Sequence, residues 1–92
     1  MDVMKLSETF ALNVKKRLDA INLTKKDLAQ LTSVSRNTIN AVTSGKAKMI
    51  RFETIEEIAR ALRCKPQQLL DEETDWAIYK WAENYQRGLK HE

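Results

Sequence analysis

The 92-residue chain has one cysteine, one proline, two glycines and one histidine. Cys64 alone cannot close an intramolecular disulfide, and with His91 as the only histidine there is no cluster of metal-ligand spacing, so no metal and no cofactor are expected. The apolar runs are short, Trp76-Ala77-Ile78-Tyr79 being among the longest, which argues against a membrane span; no charged-then-apolar leader opens the chain, and a cytoplasmic location is the expectation. Catalytic groupings are missing too. A histidine in the terminal tail, a cysteine expected to be buried and serines at helix starts set no base beside a nucleophile, and Glu56 and Glu57 read as helix-face charges without a partner constellation. The chain is not expected to be an enzyme.

Scarce glycine and proline, with apolar residues recurring at intervals of three and four, point to an all-α fold; no stretch alternates like a half-buried strand. Hydrophobic residues make up 42% and charged residues 32%, a balance suited to a chain that folds around a core. At this length the expectation is one domain, residues 1–70, with residues 71–92 as an acidic linker and an additional C-terminal amphipathic helix.

The helices follow from their stop and start signals. The first is expected after Ser7 as N-cap, with Phe10, Val14, Leu18 and Ile21 on its buried face, Lys15, Lys16 and Arg17 mostly outward, and Asn22 in the left-handed position past its end. The second opens on Thr24-Lys25-Lys26-Asp27, a capping box with aspartate in the acid position, and is expected to bury Leu28 and Leu31. The third follows a tight turn, capped by Ser35, anchored by Ile39 and Val42 and closed by Ser44-Gly45. The fourth carries Phe52, Ile55, Ile58, Ala59 and Leu62 on its apolar face; the fifth begins at Pro66 and supplies Leu69 and Leu70.

Charge is distributed unevenly. Residues 1–27 hold six Lys/Arg against four Asp/Glu, residues 53–92 hold six against nine, and residues 28–52 hold four (Arg36, Lys46, Lys48, Arg51) against none. A middle segment of charge +4 without one carboxylate is the footprint of a surface that approaches phosphates, because any acid there would repel a polyanion.

Within that segment the residues have mechanical meaning. Ala29 is small enough for two helices to cross closely, Val34 plugs the turn, Ser35 caps the next helix, and Ile39 with Val42 holds that helix down. Its free face then carries Arg36, Asn37, Asn40 and Ala41. The runs Leu23-Thr24-Lys25-Lys26-Asp27-Leu28-Ala29, Val34-Ser35-Arg36-Asn37-Thr38-Ile39 and Thr54-Ile55-Glu56-Glu57-Ile58-Ala59-Arg60-Ala61-Leu62 resemble the phage-repressor (Cro/repressor, or XRE-type) helix-turn-helix family over roughly residues 10–70, in register and without gaps. The resemblance implies a five-helix repressor-like domain that binds double-stranded operator DNA as a homodimer. It implies that Arg36, Asn37 and Ala41 face base edges with Asn40 nearby, and that Lys25, Ser35, Lys46, Lys48 and Arg51 hold phosphates. The chemistry agrees. Arginine can bond guanine O6 and N7, asparagine adenine N6 and N7, each worth about 1–3 kcal/mol of discrimination, and Ala41 suits a thymine methyl; phosphate contacts position the helix without reading sequence.

Three residues depart from the family pattern. Ser33 stands where a turn glycine is usual, which implies either left-handed strain or a different turn; Lys25 replaces a frequent glutamine; Arg63 replaces the usual glycine after the fourth helix. Cys64 falls at a hydrophobic position of the family and is expected to be a buried small apolar side chain.

The last expected helix, from Trp76 to about Arg87, puts Ile78, Trp81, Tyr85 and Leu89 on one stripe with Trp76 and Tyr79 beside it. These six residues are the candidate dimer or partner interface, since aromatics are favoured anchors; packing back on helices 1 and 5 is the alternative. The expected function is a transcriptional regulator, most simply a repressor on a palindromic operator. The alternative is an antitoxin or immunity-type regulator that holds another protein through the aromatic helix.

Overall fold

The computed structural model describes residues 5–77. Among them lie five helices and no strand: α1 (Leu6–Ala20), α2 (Lys25–Leu31), α3 (Arg36–Thr43), α4 (Phe52–Ala61) and α5 (Pro66–Leu69). The all-α, five-helix reading agrees with this architecture. The additional C-terminal helix expected from Trp76 to about Arg87 lies almost wholly outside the described residues. No described helix is long and apolar enough to cross a membrane.

Phe10, Val14 and Leu18 of α1 meet Leu28 of α2, Val34 of the turn, Ile39 and Val42 of α3, Ile55, Ile58 and Leu62 of α4 and Leu69 of α5 in one core. α1 is the hub, packing against α3 on one side and α5 on another, while α3 also packs on α2. Cys64 is half-buried at the edge of this core.

Most helix boundaries lie where the local chemistry puts them. Asn22 takes the left-handed conformation with φ 57°, and Gly45 does so with φ 78° after α3, its Cα side facing the backbone of Glu8 and the side chain of Ala11. α1 starts earlier than at Ser7. Its N-cap is Lys5, whose N–H donates to the Glu8 carboxylate at 3.3 Å, so the acid three residues on serves a cap two residues further out.

Four side chains sit differently from expectation. Leu31 is exposed, because the packed side of α2 is shared by Leu28 and the half-buried Thr32, whose hydroxyl donates to the Leu28 carbonyl at 2.8 Å. Phe52 is 83% exposed, since it opens α4 beyond the reach of the neighbouring helices and Ile50 packs on the core in its place. Trp76, expected on an interface, is buried in its own chain.

Arg17 is the largest correction: it is completely buried. Its Nε donates to the Leu62 carbonyl at 2.8 Å and Nη2 to that of Arg63 at 3.1 Å, the carbonyls at the negative end of the α4 dipole. Asn13, one turn earlier on the same face, donates through Nδ2 to the carbonyls of Leu69 and Asp71, both at 2.9 Å. Its Oδ1 accepts from Trp76 Nε1 at 3.0 Å, and the Trp76 ring lies 5.5 Å from the Arg17 guanidinium carbon, within cation–π range. α1 therefore staples the ends of α4 and α5 and the acidic segment beyond them.

Arg63 follows α4 with φ 56°, so the residue in the family's glycine position does adopt the left-handed conformation. A side chain there costs about 1–2 kcal/mol. Ser33 does not: among the described non-glycine residues only Asn22 and Arg63 have positive φ.

Two stability predictions follow from these contacts. Asn13→Ala removes the oxygen that accepts from the Trp76 indole N–H and the amide that donates to the carbonyls of Leu69 and Asp71, and urea denaturation should record a loss of about 2–3 kcal/mol. Arg63→Gly relieves the left-handed strain while leaving the carbonyl that Arg17 uses, and the same measurement should record a gain of up to about 1 kcal/mol.

Candidate nucleic-acid interface

The helix-turn-helix is set by two caps. Thr24 Oγ1 accepts from the Asp27 N–H at 3.1 Å while the Asp27 carboxylate accepts from the Thr24 N–H at 2.9 Å, closing the capping box at the start of α2. Lys25 follows as the first helical residue, exposed to solvent. Ser35 Oγ accepts from the Thr38 N–H at 3.1 Å and donates to Thr38 Oγ1 at 3.0 Å. The Ser35 hydroxyl is thus engaged in starting α3.

With Ile39 and Val42 buried, the opposite face of α3 is exposed at Arg36, Asn37, Asn40 and Ala41. These positions lie in the first two turns, near the helix start, where a helix entering the major groove makes its base contacts. Asn37 and Ala41 also line a cleft of about 720 Å³ that is shared with Met49, Ile50, Arg51 and the start of α4. The structure brings Asn37, Ala41, Ser35 and Arg51 together around this cleft. Arg36 and Asn40 lie on the adjoining exposed face, and Lys46 and Lys48 are exposed on the α3–α4 connection. That connection is braced by Ser44, whose hydroxyl donates to the Ala41 carbonyl at 2.6 Å and accepts from the Lys46 N–H at 3.2 Å. Of the interface candidates, Trp76 is enclosed beside Asn13 and Arg17; Ile78, Tyr79, Trp81, Tyr85 and Leu89 lie outside the described residues.

Sequence reasoning missed the acids. The segment from Leu28 to Phe52 has no carboxylate along the chain, but Glu53 and Glu57 of α4 line the same cleft. Their spacing of one helical turn was the available signal. Glu57 also has a partner constellation: its carboxylate accepts from the Ser33 N–H at 3.0 Å and from the Ser33 hydroxyl, with Oε2 at 2.7 Å. The serine that replaces glycine in the turn is thus tied to α4.

These bonds shift two carboxyls. The backbone N–H of Ser33, then its hydroxyl, hold Glu57 below the ordinary glutamate value, and the backbone N–H and hydroxyl of Thr24 do the same for Asp27.

A family profile for the Cro/C1-type helix-turn-helix DNA-binding domain matches residues 13–75. An uncharacterized HTH-type transcriptional regulator of Bacillus subtilis, YozG, is 28% identical over 64 residues, which cover 70% of this chain and 76% of that protein. The HTH-type transcriptional regulator PrtR of Pseudomonas aeruginosa is 41% identical over 59 residues, covering 64% of this chain and 22% of that much longer protein. No solved structure matches the chain significantly.

The carboxyl shifts carry a pH dependence of known sign. A carboxyl whose folded value is depressed contributes stability that is fully present above its unfolded value and lost as pH falls through the folded one. Acidification through and below the ordinary carboxylate range should therefore loosen the caps of α2 and the turn. In a carboxyl NMR titration Glu57 should titrate below the ordinary glutamate value, and Ser33→Ala should move it only part of the way back, because the backbone N–H remains.

Proposed function

The chain belongs to the Cro/C1-type helix-turn-helix DNA-binding family, and from that premise we propose that it is a transcriptional regulator that reads the major groove with α3, represses by occupying promoter DNA, and binds a palindromic operator as a homodimer. The observation that carries this reading is the division of α3 into a face held in the core by Ile39 and Val42 and an exposed face of Arg36, Asn37, Asn40 and Ala41. A helix held down on one side and open on the other is what groove reading requires.

Arg36 is the guanine reader, with two parallel donors matched to O6 and N7; Asn37 and Asn40 suit adenine, and Ala41 a thymine methyl. Lys25, Lys46, Lys48 and Arg51 hold phosphates and set the register, and Ser35 contributes through the cap that aims the start of α3. The DNA-binding domain is residues 1–70, with residues 71–92 as an appended segment whose first aromatic, Trp76, is enclosed by that domain. The two relatives, both transcriptional regulators by name, support the regulatory role.

Selection of binding sites from random DNA with the purified protein tests the reading. An inverted repeat with half-sites about 10 base pairs apart, or a multiple of that spacing, is the expected product; recovery of no sequence preference, or protection of DNA without periodic half-sites, counts against it. On the selected operator Arg36→Ala should cost about 1–3 kcal/mol and relax one base position, while Lys46→Ala should weaken all sequences alike and reduce the slope of log affinity on log salt by about 1. An equal loss on every sequence for Arg36→Ala removes it from the base readers.

A further inference from the structure

The turn between α2 and α3 has two sets of polar contacts. One is local: Thr32 Oγ1 donates to the Leu28 carbonyl at 2.8 Å and accepts from the Val34 N–H at 3.2 Å. The other is long-range, reaching 24 residues along the chain from Ser33 to Glu57. Both donors of Ser33 are aimed at one carboxylate, and that carboxylate stands on α4, whose N-cap is Arg51. Asn37 and Ala41 of α3 line the same cleft as Arg51. A rigid helix thus carries the phosphate-side residue at one end and the tie to the recognition turn further along.

We propose that Glu57 is a positioning residue for DNA recognition: by holding the backbone and the side chain of Ser33, it fixes the distance across the cleft between the base-reading start of α3 and the phosphate-holding start of α4. This deepens the reading above and rests on it. Glu57 itself touches no base. Its negative charge on a wall of the DNA-facing cleft opposes phosphates, so its electrostatic effect on affinity is unfavourable and its geometric effect is favourable. The two effects have opposite signs and do not act on the same set of DNAs, which makes them separable. Electrostatics acts on every sequence; cleft geometry acts only where bases are read.

The experiment compares the selected operator with a scrambled duplex of the same length, at one salt concentration. Glu57→Ala should bind the scrambled duplex as well as or better than wild type and the operator more weakly, lowering the operator-to-scrambled ratio about tenfold, the scale expected for losing exposed charge-assisted hydrogen bonds. Glu57→Gln, which keeps an acceptor for the Ser33 N–H without the charge, should lower the ratio by a smaller factor. Ser33→Ala should lower it a few-fold, and the double variant Ser33→Ala/Glu57→Ala should be no worse than Glu57→Ala alone, because the partners act through one contact. Circular dichroism and thermal unfolding establish that each variant is folded; Glu57→Gln and Ser33→Ala preserve the test if Glu57→Ala does not fold. An unchanged ratio in folded variants, or equal tightening on both duplexes, overturns the positioning role while leaving operator binding intact. A wild-type protein that selects no sequence overturns operator reading and this inference with it.

Discussion

Arg17 is completely buried, and a guanidinium removed from water is tolerated only where fixed acceptors replace the hydration it lost. Here those acceptors are the carbonyls of Leu62 and Arg63. Arginine cannot relieve the cost by giving up its proton, so the end of α4 has to sit where α1 presents the guanidinium. Asn13 applies the same constraint one turn earlier to the carbonyls of Leu69 and Asp71, with Trp76 donating to the amide oxygen. The two side chains tie α4, α5 and the following segment to α1. α1 in turn packs on α3, so the recognition helix rests on an element whose position is held from behind.

That support matters because α3 spans only eight residues. An isolated helix of that length is not stable in water, so its order has to come from packing and from its cap. Ile39 and Val42 supply the packing, Ser35 supplies the cap, and Gly45 lets the chain turn away close against α1. None of these demands a side chain at Arg36, Asn37, Asn40 or Ala41. The exposed face is therefore free to vary in chemistry while the scaffold stays the same, which is how one fold can serve many sequences.

The capping box of Thr24, the cap at Ser35, the proline start of α5 and the left-handed Asn22 were all legible in the sequence because each is a contact among residues a few positions apart. The plug at Val34 and the stripe Phe10, Val14, Leu18 were legible as periodicity. What was not legible depends on distant partners. Arg17 lies beside Leu18 and one turn after Asn13, on the buried side of α1; its charge placed it outside, because nothing local reveals that two carbonyls some 45 residues away wait for it. Phe52 and Leu31 fail in the opposite sense, since apolarity states a preference for cover and the fold supplies none there. Glu57 is the same case at the site: the acid-free stretch is a property of the chain, and α4 folds its acids back onto the cleft.

The cleft consequently presents both signs of charge, Arg51 opposed by Glu53 and Glu57 on one wall. A surface selected only for attraction to a polyanion would carry no acids, and it would bind all DNA alike, since phosphate attraction is blind to sequence. Under the proposed reading, Glu53 and Glu57 beside the exposed face of α3 reduce that uniform term without competing for the hydrogen bonds to base edges. The modest net charge of +3 fits the same logic: a term common to all DNA cancels from the difference of affinities that defines discrimination, so weakening it lowers the hold on non-specific DNA while the preference is set by the contacts to base edges. The tie from Ser33 to Glu57 adds a structural reason to keep an acid there, because an apolar residue in its place would remove the repulsion and the acceptor together.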